Sequence, residues 1–558
     1  MTTIDHNPRL IPAEEVVRAG TRQWIALAVL MLPVLLTSVD NTVLSFALPQ
    51  VSTALKPTGT QLLWLVDIYP LMLAGLLVAM GSLGDRLGRR RLLVIGAIGF
   101  GVASVWAAYS PSASTLIASR ALLGVFGATL MPSTLSLIRN IFSDRNDRRL
   151  AIATWAAMFS GGAALGPIVG GWLLEHYWWG SVFLINVPLI AIFLVLAFVF
   201  LPESKDPNPG RLDMLSIGLS LSAMLPIVFG IKTFAEHGVS DLALASFAVG
   251  IMSGVAFIRR QHRLASPMLD LTLFSNRVFN GAIVSNLLSL MGFAGFVFFA
   301  AQFLQLVVGM SPLSAAMVLL PGLVVTMLAG FVAVRLVRVI PAYKLVSASF
   351  VMSALGYAIA SFAGTPSMWS IMVAFTVLGM GIGLAETLTN DIMLTSVAPH
   401  KAGAASAISE TAYEIGAVLG TAVLGSILPM TYRTHLLIPA AAQRGDNEPE
   451  FQTLGGTLEA AAQYPNFVGE DLLRSAHAAF DLGIQRSSAA AIVITLAAAV
   501  LSFRTLRDAT GMLDHPDSRA QQAVGGCVLL SPADHRPCAV PPGENPPRDA
   551  AIFHRVGH

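Results

Sequence analysis

Seven ionisable side chains fall inside or at the edges of long apolar runs: Asp40, Asp67, Arg120, Glu386, Asp391, Glu410 and Glu414. A charge at the centre of a bilayer costs about 2.5–3.5 kcal/mol on insertion scales, so each of these needs a partner or a task. A carboxylate there can hold a proton or attract a cation but cannot do both at once, and that competition is the chemistry of an exchanger. Glu410 and Glu414 stand one helical turn apart and project from one face, with Ala412, Gly416 and Gly420 on a different, small-residue face. Like charges at this spacing repel, which makes one of the pair the candidate for an exchangeable proton. Counted from the span ends, Glu410 and Glu414 fall between the inner surface and mid-membrane, whereas Asp40, Asp67 and Arg120 fall in the outer half. Two acidic stations at different depths follow. Asp40 and Arg120 can form a buried ion pair, either as a fixed bridge or as a switch that protonation of Asp40 would release. Trp64, three residues before Asp67, could offer a flat lipophilic cation an aromatic face beside a carboxylate, or could simply sit at the membrane interface. Glu386 and Asn390 share a face and are further cargo-binding candidates; Asp391 fits a water boundary.

The elements that must hold these residues are membrane spans. The 558 residues are 55% hydrophobic, and 34 Lys plus Arg with 32 Asp plus Glu give 12% charged residues, about half the ~25% of a soluble chain. Runs of about 20 apolar residues recur with short polar breaks, near 25–48, 61–83, 92–110, 115–138, 150–174 and 180–201, then 212–232 and 242–258, then 278–303, 312–335, 343–363, 368–392, 403–428 and 488–505. The expected fold is an all-α polytopic membrane protein of fourteen spans, six plus two plus six. The expected organisation is a segment at 1–24, a first bundle at 25–201, a linker with two additional helices at 202–277, a second bundle at 278–505 and a disordered tail at 506–558.

A net charge of +2 supplies no basic field for nucleic acid. Both cysteines, Cys527 and Cys538, lie in the tail, so the apolar body offers no thiol chemistry. No phosphate-loop pattern occurs, which argues against ATP drive, and no enzymatic activity, cofactor or metal is expected. Residues 1–23 carry no convincing removable leader.

Arginine sets the orientation. Arg86, Arg89, Arg90 and Arg91 share one short loop, Arg139, Arg145, Arg148 and Arg149 another, and Arg259, Arg260 and Arg263 a third, all on one side. Loops on the other side hold little more than Lys56 and Lys232. Both termini are therefore expected in the cytoplasm, with 429–487 as the large external loop. Within it, Leu472, Leu473, Ala476, Ala479, Phe480 and Gly483 have helical spacing, predicting a separate amphipathic linker helix over 471–484.

Two glycine patterns add mechanics. In GSLGDRLGRR (81–90), Gly81 and Gly88 permit close helix approach while Asp85 can pair with an arginine at a neighbouring helix end, with Arg86 and Arg89 also enforcing topology. A weaker copy, GFVAVRLVRV (330–339), follows the second span of the later half. Gly162, Gly166 and Gly170 recur every four residues beside Pro167, predicting a bent, closely packed span 5.

SVDNTVLSFALP (38–49), WLVDIYPLMLAG (64–75), GSLGDRLGRRR (81–91), SRALLGVFGA (119–128) and GGAALGPIVGG (161–171) together resemble the major facilitator superfamily, in particular its 14-span drug:proton antiporters, and the resemblance covers nearly all of 25–505. The block GAASAISETAYEIGAVLG (403–420) is similar to exporters of quaternary ammonium compounds and cationic dyes. The resemblance implies two bundles rocking about a central cavity, with GPIVGG, through Gly171, as the antiporter signature of span 5 and Asp40, Asp67 and Arg120 in coupling positions. It implies a plasma-membrane efflux antiporter driven by protons that moves lipophilic, cationic small molecules and works as a monomer. A dedicated exporter of one metabolite or antibiotic is the alternative, and a non-transporting scaffold a more distant one.

Overall fold

The computed structural model describes residues 19–142, 144–205, 213–264, 267–362, 367–397, 401–439 and 449–507. The expectations for the first eighteen residues, most of the 202–213 linker and the tail with its two cysteines lie outside these residues.

Among the described residues, fourteen helices are long and apolar enough to cross a membrane. They are spans 1 (Thr21–Leu55), 2 (Gly59–Leu87), 3 (Arg89–Ala108), 4 (Ala113–Ile141), 5 (Leu150–His176), 6 (Ser181–Phe200), 7 (Met214–His237), 8 (Asp241–Arg263), 9 (Arg277–Val307), 10 (Pro312–Leu336), 11 (Ala342–Ser361), 12 (Met368–Thr395), 13 (Ala404–His435) and 14 (Phe467–Thr505). No strand occurs among the described residues. Helix is forced on each span because hydrocarbon offers backbone amides no other partner. Their starts are set by hydroxyl and carboxylate caps: Thr58, Ser112, Asp213, Ser240, Ser311 and Ser367 each accept a hydrogen bond from the backbone N–H three residues on. Between spans 2 and 3 the chain turns at Gly88, whose φ of 107° suits glycine.

Spans 1 to 6 pack among themselves, as do spans 9 to 14, and the two sets meet along three seams: span 5 on span 10, span 2 on span 13, and span 1 on span 9. Apolar side chains gain little by leaving lipid for one another, so close backbone approach carries the packing. Span 5 illustrates this. A Cβ on Gly162 would lie 2.9 Å from Ser38 Cβ, one on Gly166 3.1 Å from the Val39 carbonyl, and Gly170 faces Val43, all on span 1. Gly171 faces the other set of spans, where a Cβ would lie 2.7 Å from Leu313 Cα at the head of span 10.

Spans 7 and 8 pack on one another and are mostly exposed, as befits two lipid-facing helices added at the flank. Span 7 also rests against span 2, and Leu71, Val228, Val418 and Ala422 form a small core where spans 2, 7 and 13 meet.

The region after span 13 departs from expectation. Span 13 continues to His435, a short helix covers Leu454–Ala461, and the last helix runs unbroken from Asn466 to Thr505. The predicted linker helix over 471–484 is therefore the first part of span 14. Its apolar face is buried at Leu472, Ala476, Ala479 and Phe480, packing on the end of span 13 and on the short helix, so no break was needed to hide it.

Candidate functional site

A cavity of about 100 Å³ lies between the two sets of spans, room for a cluster of water molecules. Asn41 and Phe46 of span 1, Asp67 of span 2, Arg120 of span 4, Pro167 of span 5, Phe293 of span 9, Phe375 of span 12 and Tyr413, Glu414 and Thr421 of span 13 line it. One end of the spans carries Arg89, Asn140 and Arg260 and is called the arginine face; the other carries the short helix Leu454–Ala461 and is called the loop face.

Asp40 and Arg120 do pair. Arg120 Nη1 lies 2.8 Å from Asp40 Oδ2, with both side chains buried. Arg120 Nε donates to the Leu65 carbonyl at 3.3 Å, and the guanidinium lies 4.7 Å from the centre of the Tyr69 ring. Asn186 of span 6 donates to Asp40 Oδ1 at 3.4 Å and to Ser104 Oγ at 3.1 Å. Four spans thus converge on one neutral pair, and Arg120 is also on the cavity wall.

Asp67 is paired as well, by a residue the sequence placed in a loop. Lys232 is buried inside span 7, and its Nζ lies 2.8 Å from Asp67 Oδ2. Thr421 of span 13 donates to the other oxygen, Oδ1. Lys232 also sits over the Trp64 ring, 3.9 Å from its centre. The face of Trp64 expected to receive a cargo is occupied by this internal ammonium, and Trp64 packs with span 7 and is not on the cavity wall. Lys232 was legible in principle, because the apolar run LPIVFGIKTF continues past it on both sides.

The span 13 acids are different. Among the described residues no Lys or Arg lies within 4 Å of Glu386, Glu410 or Glu414. Glu414 is 6% exposed and reaches the cavity, whose wall also carries Asn41. Glu386 and Glu410 are half-buried, nearer the arginine face, and Asp391 is exposed. Glu410, Glu414, Ala417 and Thr421 follow one face of span 13 over roughly 16 Å at ~1.5 Å per residue, so a polar stripe climbs from the unpaired glutamates to the Asp67 pair. A π-helical stretch over Gly420–Gly425 interrupts the α-helix where Thr421 meets Asp67. Asn390 is engaged elsewhere: it accepts from Ser409 at 2.5 Å and from Asn286 at 3.4 Å, tying spans 9, 12 and 13 together.

An aromatic cluster joins spans 5 and 13. Trp155 and Phe159 of span 5 stack at 6.1 Å, and Phe159 meets Tyr413 edge-on at 6.1 Å. Their sequence signal was only the i,i+4 spacing of Trp155 and Phe159.

At the arginine face, Asp85 pairs with Arg89 at 2.8 Å, so the acid does meet the arginine that begins span 3. The turn is bound to the chain leaving span 6: Arg89 N–H donates to the Ser204 carbonyl at 2.8 Å, Arg90 N–H donates to Glu203 at 3.1 Å, and a Cβ on Gly88 would lie 2.7 Å from that carboxylate. Gly81 packs near Pro132 of span 4, and Arg86 is exposed.

A model of the Major Facilitator Superfamily matches residues 30–421. The chain belongs to the major facilitator superfamily. Its curated relatives in that superfamily include "Multidrug efflux pump LfrA" of Mycolicibacterium smegmatis, 52% identical with 87% of this chain and 96% of the relative covered. "Methyl viologen resistance protein SmvA" of Salmonella typhimurium is 35% identical with 85% and 97% covered. Among solved structures, an inward-facing bacterial homologue of the human lysosomal transporter Spinster shares the fold, with a TM-score of 0.62 at 18% identity over 88% of this chain and 98% of that one. In this major facilitator, contacts across the seam gather toward the loop face: Ser52 Oγ with Thr453 Oγ1 at 3.1 Å, Gln305 Nε2 with the Phe46 carbonyl at 3.1 Å, and Lys56 with Glu459 at 3.3 Å. The loop face is closed by these contacts.

Proposed function

We propose that this major facilitator is a proton-coupled multidrug efflux antiporter of the plasma membrane, with both termini in the cytoplasm, exporting lipophilic cations by alternating access. The observation that carries the reading is the contrast around one cavity between Arg120 and Asp67, each neutralised in an ion pair, and Glu414, which among the described residues has no Lys or Arg within 4 Å. The names of the relatives point to drug efflux, the arginine loops support a cytoplasmic assignment of the arginine face, and the glutamates supply the exchange.

Cargo enters from the arginine face, drawn by Glu386, Glu410 and Glu414 and held on the aromatic cluster of Trp155, Phe159 and Tyr413. Glu414, deepest of the three and on the cavity wall, is the site where proton and cation compete. Once the spans rock and the loop face opens, a proton from outside takes the carboxylate and the cargo leaves; loss of that proton to the cytoplasm resets the site. Asp40 and Arg120 couple this to packing, because protonating Asp40 frees the guanidinium that four spans share. Gly162, Gly166, Gly170 and Gly171, with Pro167, form the slide on which span 5 moves against spans 1 and 10, and the Asp85–Arg89 turn, with Gly81, Arg86 and Gly88, is the latch at the cytoplasmic end.

The test is dye efflux from energised vesicles with and without a proton gradient. Wild type should require the gradient. Glu414→Gln should lose at least about tenfold in gradient-driven export, the loss of a proton-transfer step, while still letting cargo equilibrate. Uncoupler-insensitive export by wild type, or full activity in Glu414→Gln, would remove the antiport reading.

A further inference from the structure

Lys232 takes both features that a cationic cargo would seek near the outer station, the Asp67 carboxylate at 2.8 Å and the Trp64 ring at 3.9 Å. Among the described residues its ammonium has no other hydrogen-bond partner, so those two groups carry its compensation there. Lys232 comes from span 7, one of the two helices added to the twelve that form the bundles. One turn further along, Glu236 contacts Arg433 of span 13 at 3.5 Å and accepts from Thr60 of span 2. Span 7 is thereby wedged at the seam between spans 2 and 13, with a cation held against the back of a carboxylate whose front lines the cavity.

We propose that Lys232 is a tethered counter-cation that sets the charge selectivity of the cavity. With Lys232 in place the outer station is neutral, so the glutamates of spans 12 and 13 alone hold a cation. A monocation then moves past Asp67 toward the exit without being trapped there. Without Lys232 the station would carry an uncompensated carboxylate beside an aromatic ring, in low dielectric, which is a cation trap on the exit route. Lys232 is a specificity-determining and positioning residue: it acts on cargo through Asp67 and touches no cargo itself. This inference rests on the export reading above and deepens it.

The experiment measures binding and export separately, using the full chain in lipid nanodiscs and in vesicles. The probes are the monocation tetraphenylphosphonium and the uncharged triphenylphosphine oxide, in alkaline buffer. Lys232→Met should bind the monocation about tenfold more tightly than wild type and bind the neutral compound equally. In export, KM for the monocation should fall together with kcat, because release becomes slow. Lys232→Arg should behave like wild type, and Asp67→Asn with Lys232→Met should abolish the gain. Asp67→Asn alone, which leaves the ammonium unpaired, should weaken monocation binding about tenfold, and adding Lys232→Met should restore it. This second comparison stands if Lys232→Met alone fails to insert. Monocation affinity unchanged in Lys232→Met, a gain equal for both probes, a gain that survives Asp67→Asn, or no recovery in the double variant would each overturn the proposal. Failure of the export reading looks different: wild type would move no tetraphenylphosphonium under a gradient, whatever the binding constants.

Discussion

At the residue scale, the buried and half-buried charges invoked in the proposed mechanism divide by whether a partner is present. Arg120 has Asp40, and Lys232 has Asp67; among the described residues Glu386, Glu410 and Glu414 have no Lys or Arg within 4 Å. Removing one member of a buried pair strands the other charge, at a cost of about 3–5 kcal/mol. Arg120→Ala is expected to lower the thermal midpoint far more than Asp40→Asn with Arg120→Gln, in which hydrogen-bonding amides replace both ions; equal losses measured by scanning fluorimetry would refute this. Outside the spans, Asp213 caps span 7 and takes both Arg260 Nε and Nη2 at 2.9 Å. Hydrogen bonds from Arg260 hold its carboxyl well below the usual carboxylate range. A carboxyl depressed on folding adds stability above its unfolded pKa of about 4 and loses it as pH falls through the folded value. Wild type should therefore exceed Asp213→Asn in thermal midpoint by a constant margin at neutral pH, and the margin should shrink only in strong acid. A margin that grows on acidification would contradict it.

At the element scale, span 5 works because its glycines remove the side chains that would hold spans 1 and 10 away. Gly171 faces the backbone of Leu313 with no space for a Cβ. Gly171→Val should block closure of the loop face and reduce export at least about tenfold, an ordinary consequence of overpacking a tight contact, while leaving membrane insertion intact. Export rates per inserted molecule decide this. Gly161, which meets nothing within 4 Å, is the control position for the same substitution. The last helix teaches a related point: periodicity over 471–484 identified the buried face correctly, yet periodicity is blind to whether one helix ends before the next begins. The same blindness put Lys232 in a loop, because a lysine at the last position of a predicted span reads as a boundary although the helix runs on to His237.

At the scale of the whole molecule, closure of the loop face rests on a few contacts between the two sets of spans, among them Ser52 Oγ and Thr453 Oγ1 at 3.1 Å. With the tail residues Cys527 and Cys538 replaced by serine, Ser52→Cys and Thr453→Cys should form a disulfide across the seam, since the oxygens already stand close to thiol reach. Oxidation is expected to stop export, and reductant to restore it; undiminished export by the oxidised protein would show that this face need not open. The number of spans and the set of acids inside them were legible in the sequence, because hydrocarbon forces helix wherever about 20 apolar residues run together and makes every charge within them conspicuous. Only the tertiary structure decided which acids are neutralised. That outcome depends on which helices lie side by side, and hydropathy is equal on all apolar neighbours, so nothing local to Asp67 announces that a lysine 165 residues away in span 7 will reach it.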